Sequence, residues 1–185
     1  MAGLLLAAGA GRRFGQPKAL AHGGLWLRRS VDVLVEGGCE PVRVVLGARA
    51  REAVRLLADP AVAVIADGWR EGMSASLKTG LGAVAGLRPA PDAVLVHLVD
   101  LPDVTAEVVA RLVKGGGGQG ALARATYRGR PGHPVLLGRA HWAGIAAAAE
   151  GDAGAKGWLA GRPDVVEVEC SDLAAGRDVD HQPES

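Results

Sequence analysis

The sequence predicts an α/β protein, a three-layer α/β/α sandwich around a mostly parallel central sheet. Short apolar runs of strand length alternate with segments of helical periodicity, the pattern of parallel strands joined by crossover helices. Polar or glycine-rich segments follow three of the runs, and one late pair of runs, separated only by a turn, breaks the alternation. The 185 residues are 49% hydrophobic but only 3% aromatic, so the core has to be built from Val, Leu, Ile and Ala.

The first run, from Leu4, is too short for anything but a strand and breaks into glycines at 9, 11 and 15. Leu27, Val31, Leu34 and Val35 recur at helical spacing, and Gly37-Gly38 ends that helix. Residues 41–47 read as a buried strand, 49–58 as a short helix with Ala53, Val54 and Leu57 on one face, and 61–66 as a third strand. A polar stretch, 67–76, leads into a helix whose Leu77, Leu81, Val84 and Ala85 share a face. Residues 92–100 are the most strand-like run and end in the carboxylate of Asp100. A helix over 104–113 follows, with Thr105 or Asp103 as its cap, and then a flexible loop at 115–118. Residues 121–127 and 133–138 read as two strands across a turn. An alanine-rich helix at 142–150, another opening at 151–156 and a strand at 165–170 complete the pattern. With no internal repeat and no long linker, a single domain over 1–185 is expected.

The loop after the first strand concentrates backbone freedom and positive charge. Its three glycines let amides approach an anion closely, and Arg12, Arg13 and Lys18 bring cations to the same place. Glycines alone are met by an ordinary strand-to-helix loop; a strand end with three cations added points to a phosphate. Two familiar phosphate motifs are excluded by spacing. Gly15 is followed by Gln16 and not by the lysine of a Walker loop, and Phe14 stands where a dinucleotide fingerprint requires its third glycine.

Ligands of open parallel sheets bind outside the carboxyl ends of the strands. The 9–18 loop, the 67–76 segment and Asp100 each follow a strand, so they are expected to meet on one sheet edge. A carboxylate ending an apolar strand needs a partner. Asp100 is therefore either the mate of a nearby arginine or a magnesium ligand, since Mg²⁺ takes one or two carboxylates beside triphosphate oxygens. Asp178 and Asp180 offer a second carboxylate, or simply solvated charge. His133, before Pro134, either donates a hydrogen bond to a neighbouring loop or faces a ligand; no second His or Cys has metal-ligand spacing with it. Asp152 and Lys156 either compensate the short helix beside them or touch a ligand. Trp26, Trp69, Trp142 and Trp158 read as packing residues with a polar handle, Trp69 within a site loop.

The formal net charge of +1 gives no general reason to expect nucleic acid or a membrane as partner, so any positive field is local. Cys39 and Cys170 lack metal or redox spacing and are expected as small buried hydrophobes in a reducing compartment. The short apolar start without a basic region suits neither a signal peptide nor a membrane span, and a cytoplasmic location is expected.

The pattern Leu6-Ala-Ala-Gly-x-Gly-x-Arg-x-Gly-x-x-Lys18 resembles the signature of nucleotidyltransferases that move a nucleoside monophosphate from an NTP onto a phosphate-bearing acceptor. Asp100-Leu-Pro is similar to their Asp-x-Pro, and Asp178-Val-Asp180 to the start of their acidic tail. The segments 68–77, 129–137 and 151–155 resemble the molybdenum cofactor cytidylyltransferases within that group, and the matches span residues 4–184. The tail departs from the pattern, with one residue more before its proline and Ser185 where an acid is expected.

The resemblance implies a Rossmann-like nucleotidyltransferase domain that moves CMP from CTP to molybdopterin with Mg²⁺ as cofactor. It implies nucleotide contacts from Leu6, Ala7, Ala8, Gly9, Ala10, Gly11, Arg13, Lys18, Asp67 and Ser74, with Arg13, Lys18 and Asp100 catalytic. Metal binding falls to Asp100, Asp180 and Asp178, and acceptor contacts to Ser76, Arg130, Gly132, His133, Pro134, Asp152 and Gly154. A molybdoenzyme or its maturation chaperone is the implied protein partner. The alternatives are GTP as donor, a small phosphorylated acceptor, or a catalytically silent module that delivers cofactor.

Overall fold

The computed structural model describes residues 1–180. Strand β1 (Ala2–Ala7) runs into the glycine loop, and α1 (Leu25–Glu36) returns the chain to β2 (Val42–Leu46). Helix α2 (Ala50–Val54) leads to β3 (Ala63–Ile65), α3 (Met73–Ala85) to β4 (Ala93–Leu98), and α4 (Ala106–Lys114) to β5 (Leu122–Tyr127). Strand β6 (Arg130–Gly138) follows directly, and α5 (Trp142–Ala148) and α6 (Lys156–Leu159) precede β7 (Val166–Glu169).

These strands form one seven-stranded sheet in the order β3-β2-β1-β4-β6-β5-β7. Only β6 runs against its neighbours, because the two-residue turn after β5 reverses the chain where the other connections cross over. Alternate residues feed two cores. Leu5, Val44, Leu95 and Leu136 pack with α1 and α4 on one face, while Leu4, Val45, Val94 and Leu137 pack with α3 and α5 on the other. The sandwich expected from the alternation is the one observed, and no helix among the described residues is long and apolar enough to cross a membrane. Cys39 and Cys170 are free and buried.

The differences are local. Helix α2 and β3 are shorter than their apolar patterns suggested; β3 is an edge strand with one neighbour, and residues 60–62 form a 3₁₀ turn before it. Val35 and Ala85, placed on apolar faces by spacing, are exposed, and the buried stripe of α1 turns through Trp26, Leu27, Ser30, Val33 and Leu34 instead. Thr105 does hold the N-cap position of α4 but its side chain makes no capping bond. Asp103 accepts from the backbone of Ala175 and Gly176, and so anchors the approach of the tail.

The β5–β6 turn is pinned from the neighbouring strand end. Arg128 (φ 53°) and Gly129 (φ 71°) occupy the left-handed pair that a tight hairpin requires. Both amides donate to the Glu169 carboxylate, at 3.1 and 3.2 Å, and the amide of Ser171 and the hydroxyl of Thr126 add 2.9 and 3.0 Å bonds. The Ser171 hydroxyl and these amides hold the carboxyl down to about 2 from its ordinary 4.5. A carboxyl depressed in this way stabilises the fold above its unfolded value and loses that contribution as pH falls through the window from 4.5 to about 2. Wild type is therefore expected to be more stable than Glu169→Gln at pH 7, with the gap closing by pH 2; urea unfolding at the two pH values reads it.

Candidate active site

Beyond β1 the backbone has to turn sharply. Gly11 takes φ +59°, and a Cβ there would run into the Gln16 carbonyl. Phe14, buried against Trp26 at 5.2 Å between ring centroids, ties the loop to α1. With its ends fixed in this way, the loop leaves the N–H groups of residues 9–13 without a protein acceptor among the described residues. Exposed, unpaired amides beside cations are the makings of an anion cradle. Gly9 has nothing within 4 Å of where a Cβ would stand. Gly11→Ala is accordingly expected to lower the melting temperature, whereas Gly9→Ala keeps stability and loses triphosphate affinity, because its methyl fills ligand space; differential scanning fluorimetry with and without nucleotide separates the two.

The loop opens on a cleft of about 470 Å³ at the carboxyl edge of the sheet. Residues 6–14 line it together with Lys18, Asp100 and Asp180, and Trp69, Arg70, Met73 and Ser76 border it as well. Lys18 Nζ lies 3.0 Å from Asp100 Oδ2 and 3.0 Å from Asp180 Oδ1, and Arg13 Nη1 donates to Asp180 Oδ2 at 2.9 Å. Burial alone would depress the lysine, but the two carboxylates outweigh it and raise its pKa above the ordinary 10.5. Asp180 reaches this point because the Val179 N–H donates to the Asp100 carbonyl at 3.0 Å, binding the tail alongside the end of β4.

Asp100 Oδ1 is buried and has no hydrogen-bond partner among the described residues. A carboxylate oxygen in that state fits a divalent cation, and the lysine ammonium already holds the position of a cation between two carboxylates. Asp100 and Asp180 are the carboxylates placed to hold a divalent cation; among the described residues no group of three or more potential ligands exists. Asp178 is exposed and lines neither cavity, and the altered tail at 181–185 lies outside the described residues.

The start of α3 closes the cleft. Gly72 takes φ +110° with the Gly151 carbonyl 2.5 Å from where a Cβ would be, so only glycine permits the approach. There Ser74 N–H donates to Gly151 O at 2.9 Å, Gly154 N–H donates to Ser74 Oγ at 3.2 Å, and Met73 N–H donates to Asp152 Oδ1 at 3.2 Å. Asp152 therefore caps a helix 79 positions earlier, not the short helix beside it, and also borders the cleft. Ser74, expected at the nucleotide, is buried as part of this staple and lines neither cavity.

A second cavity, of about 300 Å³, adjoins the first and shares Leu6 and Met73 with it. Its lining is mostly aliphatic, from Leu77, Val96, Val135, Leu137 and Leu159, with Gly132, His133 and Gly154 on its walls. Burial lowers the His133 pKa to about 4 against the charge of Asp100, so the imidazole is neutral at pH 7. The buried His97 is held lower still, near 3, by burial and by His133. Of the remaining expected contacts, Ser76 lines the first cavity, while Asp67 and Arg130 are exposed and Pro134 is buried, none of the three lining either. Arg70, whose guanidinium lies 4.6 Å from the Trp69 ring, and Met73 and Arg124 were not singled out from the sequence. Arg124 had a signal, a lone charge in step with the inward residues of an otherwise small apolar strand.

The family described as a MobA-like NTP transferase domain matches residues 3–167. The chain is 34% identical to nicotine blue oxidoreductase of Paenarthrobacter nicotinovorans over 190 residues, covering 96% of this chain and 91% of that protein. Among solved structures it is similar to the Mycobacterium sp. strain JC1 homologue of Mycobacterium tuberculosis Rv0371c, with a TM-score of 0.78 at 28% identity over 97% of this chain and 90% of that one. Rv0371c of M. tuberculosis H37Rv in complex with manganese superposes with a TM-score of 0.71 at 26% identity, covering 91% of this chain and 87% of that one.

Proposed function

The chain belongs to the MobA-like NTP transferase domain family, and from that premise we propose that it transfers CMP from CTP to the phosphate of molybdopterin, releasing pyrophosphate. The observation that carries the reading is the junction of the two cavities. A cleft lined by unpaired amides, by Arg12, Arg13, Lys18 and Arg70 and by the Asp100 and Asp180 carboxylates meets an aliphatic cavity at Leu6 and Met73, which supports assigning a triphosphate to the first and an organic acceptor to the second.

In this reading the acceptor phosphate oxygen attacks the α-phosphorus, the new oxygen–phosphorus bond forms as the bond to the β-phosphate oxygen breaks, and pyrophosphate leaves with the electron pair. The attacking oxygen is already anionic, so no general base is needed, and positioning and charge neutralisation carry the rate. Arg13 and Lys18 exchange their carboxylate partners for phosphate oxygens, and the amides of residues 9–11 hold the leaving group. Mg²⁺ held by Asp100 and Asp180 supplies neutralising charge when bound. His133, neutral, donates a hydrogen bond on the acceptor side without adding charge. Pyrophosphate release with CTP, GTP and ATP, with and without molybdopterin, tests the proposal. Release dependent on CTP and molybdopterin is expected; preference for GTP transfers the reading to a guanylyltransferase, and silence with every NTP to a delivery module.

A second reading has one observation in its favour, the name of the 34% identical relative, an oxidoreductase. It would place an organic substrate in the aliphatic cavity. Against it stands Phe14, which is buried where a dinucleotide-binding turn needs glycine. Bleaching of nicotine blue by the protein with a reduced nicotinamide would favour this reading; no bleaching is expected.

A further inference from the structure

The sheet register carries an apolar row across the floor of the second cavity and ends it in a charge. Leu4 of β1 pairs with Val96 of β4, Val96 with Val135 of β6, and Val135 with Arg124 of β5. Three strand spacings separate the first member of the row from the last, roughly 14 Å. Val96, Val135 and Arg124 all line the cavity.

A cross-strand ion pair explains only part of this arginine. Arg124 Nη2 donates to Glu167 Oε1 at 2.5 Å, and Glu167 is its register partner on β7. Its Nε is buried and has no partner among the described residues. A buried guanidinium donor left unsatisfied costs free energy that a surface pair with half-exposed Glu167 does not return. The second cation on the lining, Lys156, forms no ion pair among the described residues. Among the described residues no carboxylate lines this cavity.

Resting on the reading of this cavity as the acceptor half, we infer that Arg124, with Lys156, binds an anionic oxygen group on the acceptor, distinct from the phosphate that reacts. The acceptor class is then a molecule with a flat or aliphatic body, a phosphate at the Asp100 end and a second anionic group across the sheet. Uncharged acceptors of the same shape are discriminated against, because they bring the guanidinium no counter-charge.

Binding probes without turnover test the inference separately from the transfer reaction. Wild type is expected to bind 2-naphthoate at least tenfold more tightly than neutral 2-naphthalenemethanol, as read by isothermal titration calorimetry. Arg124→Met, which keeps the stem volume, should lose about tenfold for the carboxylate while holding the alcohol, whose retention shows that the cavity is intact. Glu167→Gln frees the guanidinium and should tighten the carboxylate, an effect that a purely structural ion pair does not produce. Equal binding of the two probes by wild type, an unchanged carboxylate affinity in Arg124→Met, or weaker binding in Glu167→Gln overturns the inference. Failure of molybdopterin to support pyrophosphate release, with these probe results intact, overturns the proposed reaction alone.

Discussion

Asp100→Asn is expected to cut pyrophosphate release by about a thousandfold or more while the protein remains folded. The substitution keeps the shape and removes the charge. Its structural cost is confined to the Lys18 contact at 3.0 Å, a partly solvated ion pair whose loss is worth about 1 kcal/mol. For a chain of this length that amounts to a melting shift of about 2–4 °C. The chemical cost is of another order, because the buried Oδ1 has no protein partner and is suited to a cation that an amide cannot replace a carboxylate in holding. A kcat comparison at saturating CTP, beside the two melting curves, checks both halves of the expectation; wild-type turnover in the variant would remove Asp100 from the mechanism.

Much of this site was legible because each part follows a strand. Glycines 9, 11 and 15 with Lys18, and the carboxylate ending the β4 run, are one-dimensional signals of a sheet edge, and the parallel topology brings them together. What escaped was set by contacts far apart in sequence. The resemblance implied ligand contacts for Ser74 and Asp152; both satisfy backbone groups between the start of α3 and the 151–155 loop, and Asp152 borders the cleft as well. Asp178 and Asp180 are two residues apart and indistinguishable by spacing; the Val179 bond to the Asp100 carbonyl selects Asp180. Arg124 needed the register, since only the pairing with Val135 shows that it ends an apolar row. The exposure of Val35 and Ala85 follows from the actual turn of their helices, which a list of apolar positions one or three apart does not fix.

Lys18→Met should separate the two duties of that residue. In the wild type its ammonium spans Asp100 Oδ2 and Asp180 Oδ1, holding the two carboxylates no farther apart than two such contacts. Without it they face each other across a partly buried gap, with Arg13 still bonded to Asp180 Oδ2. The repulsion is of order 3 kcal/mol at an effective dielectric of 20 and about 1 kcal/mol once the solvent exposure of Asp180 and its remaining Arg13 contact are counted. The variant is therefore less stable than wild type in EDTA. A divalent cation relieves the same repulsion, and in the variant it enters without displacing an ammonium. Millimolar Mg²⁺ should raise the variant's melting temperature by several degrees and wild type's by less, so that the variant binds Mg²⁺ more tightly in the absence of nucleotide. Catalysis moves the opposite way, falling about a hundredfold or more, because the phosphate loses its cation. Tighter metal binding joined to slower transfer is a signature that simple damage to the fold does not give. An Mg²⁺ affinity equal to or weaker than wild type's would show that Lys18 and the metal do not compete for the Asp100–Asp180 pair.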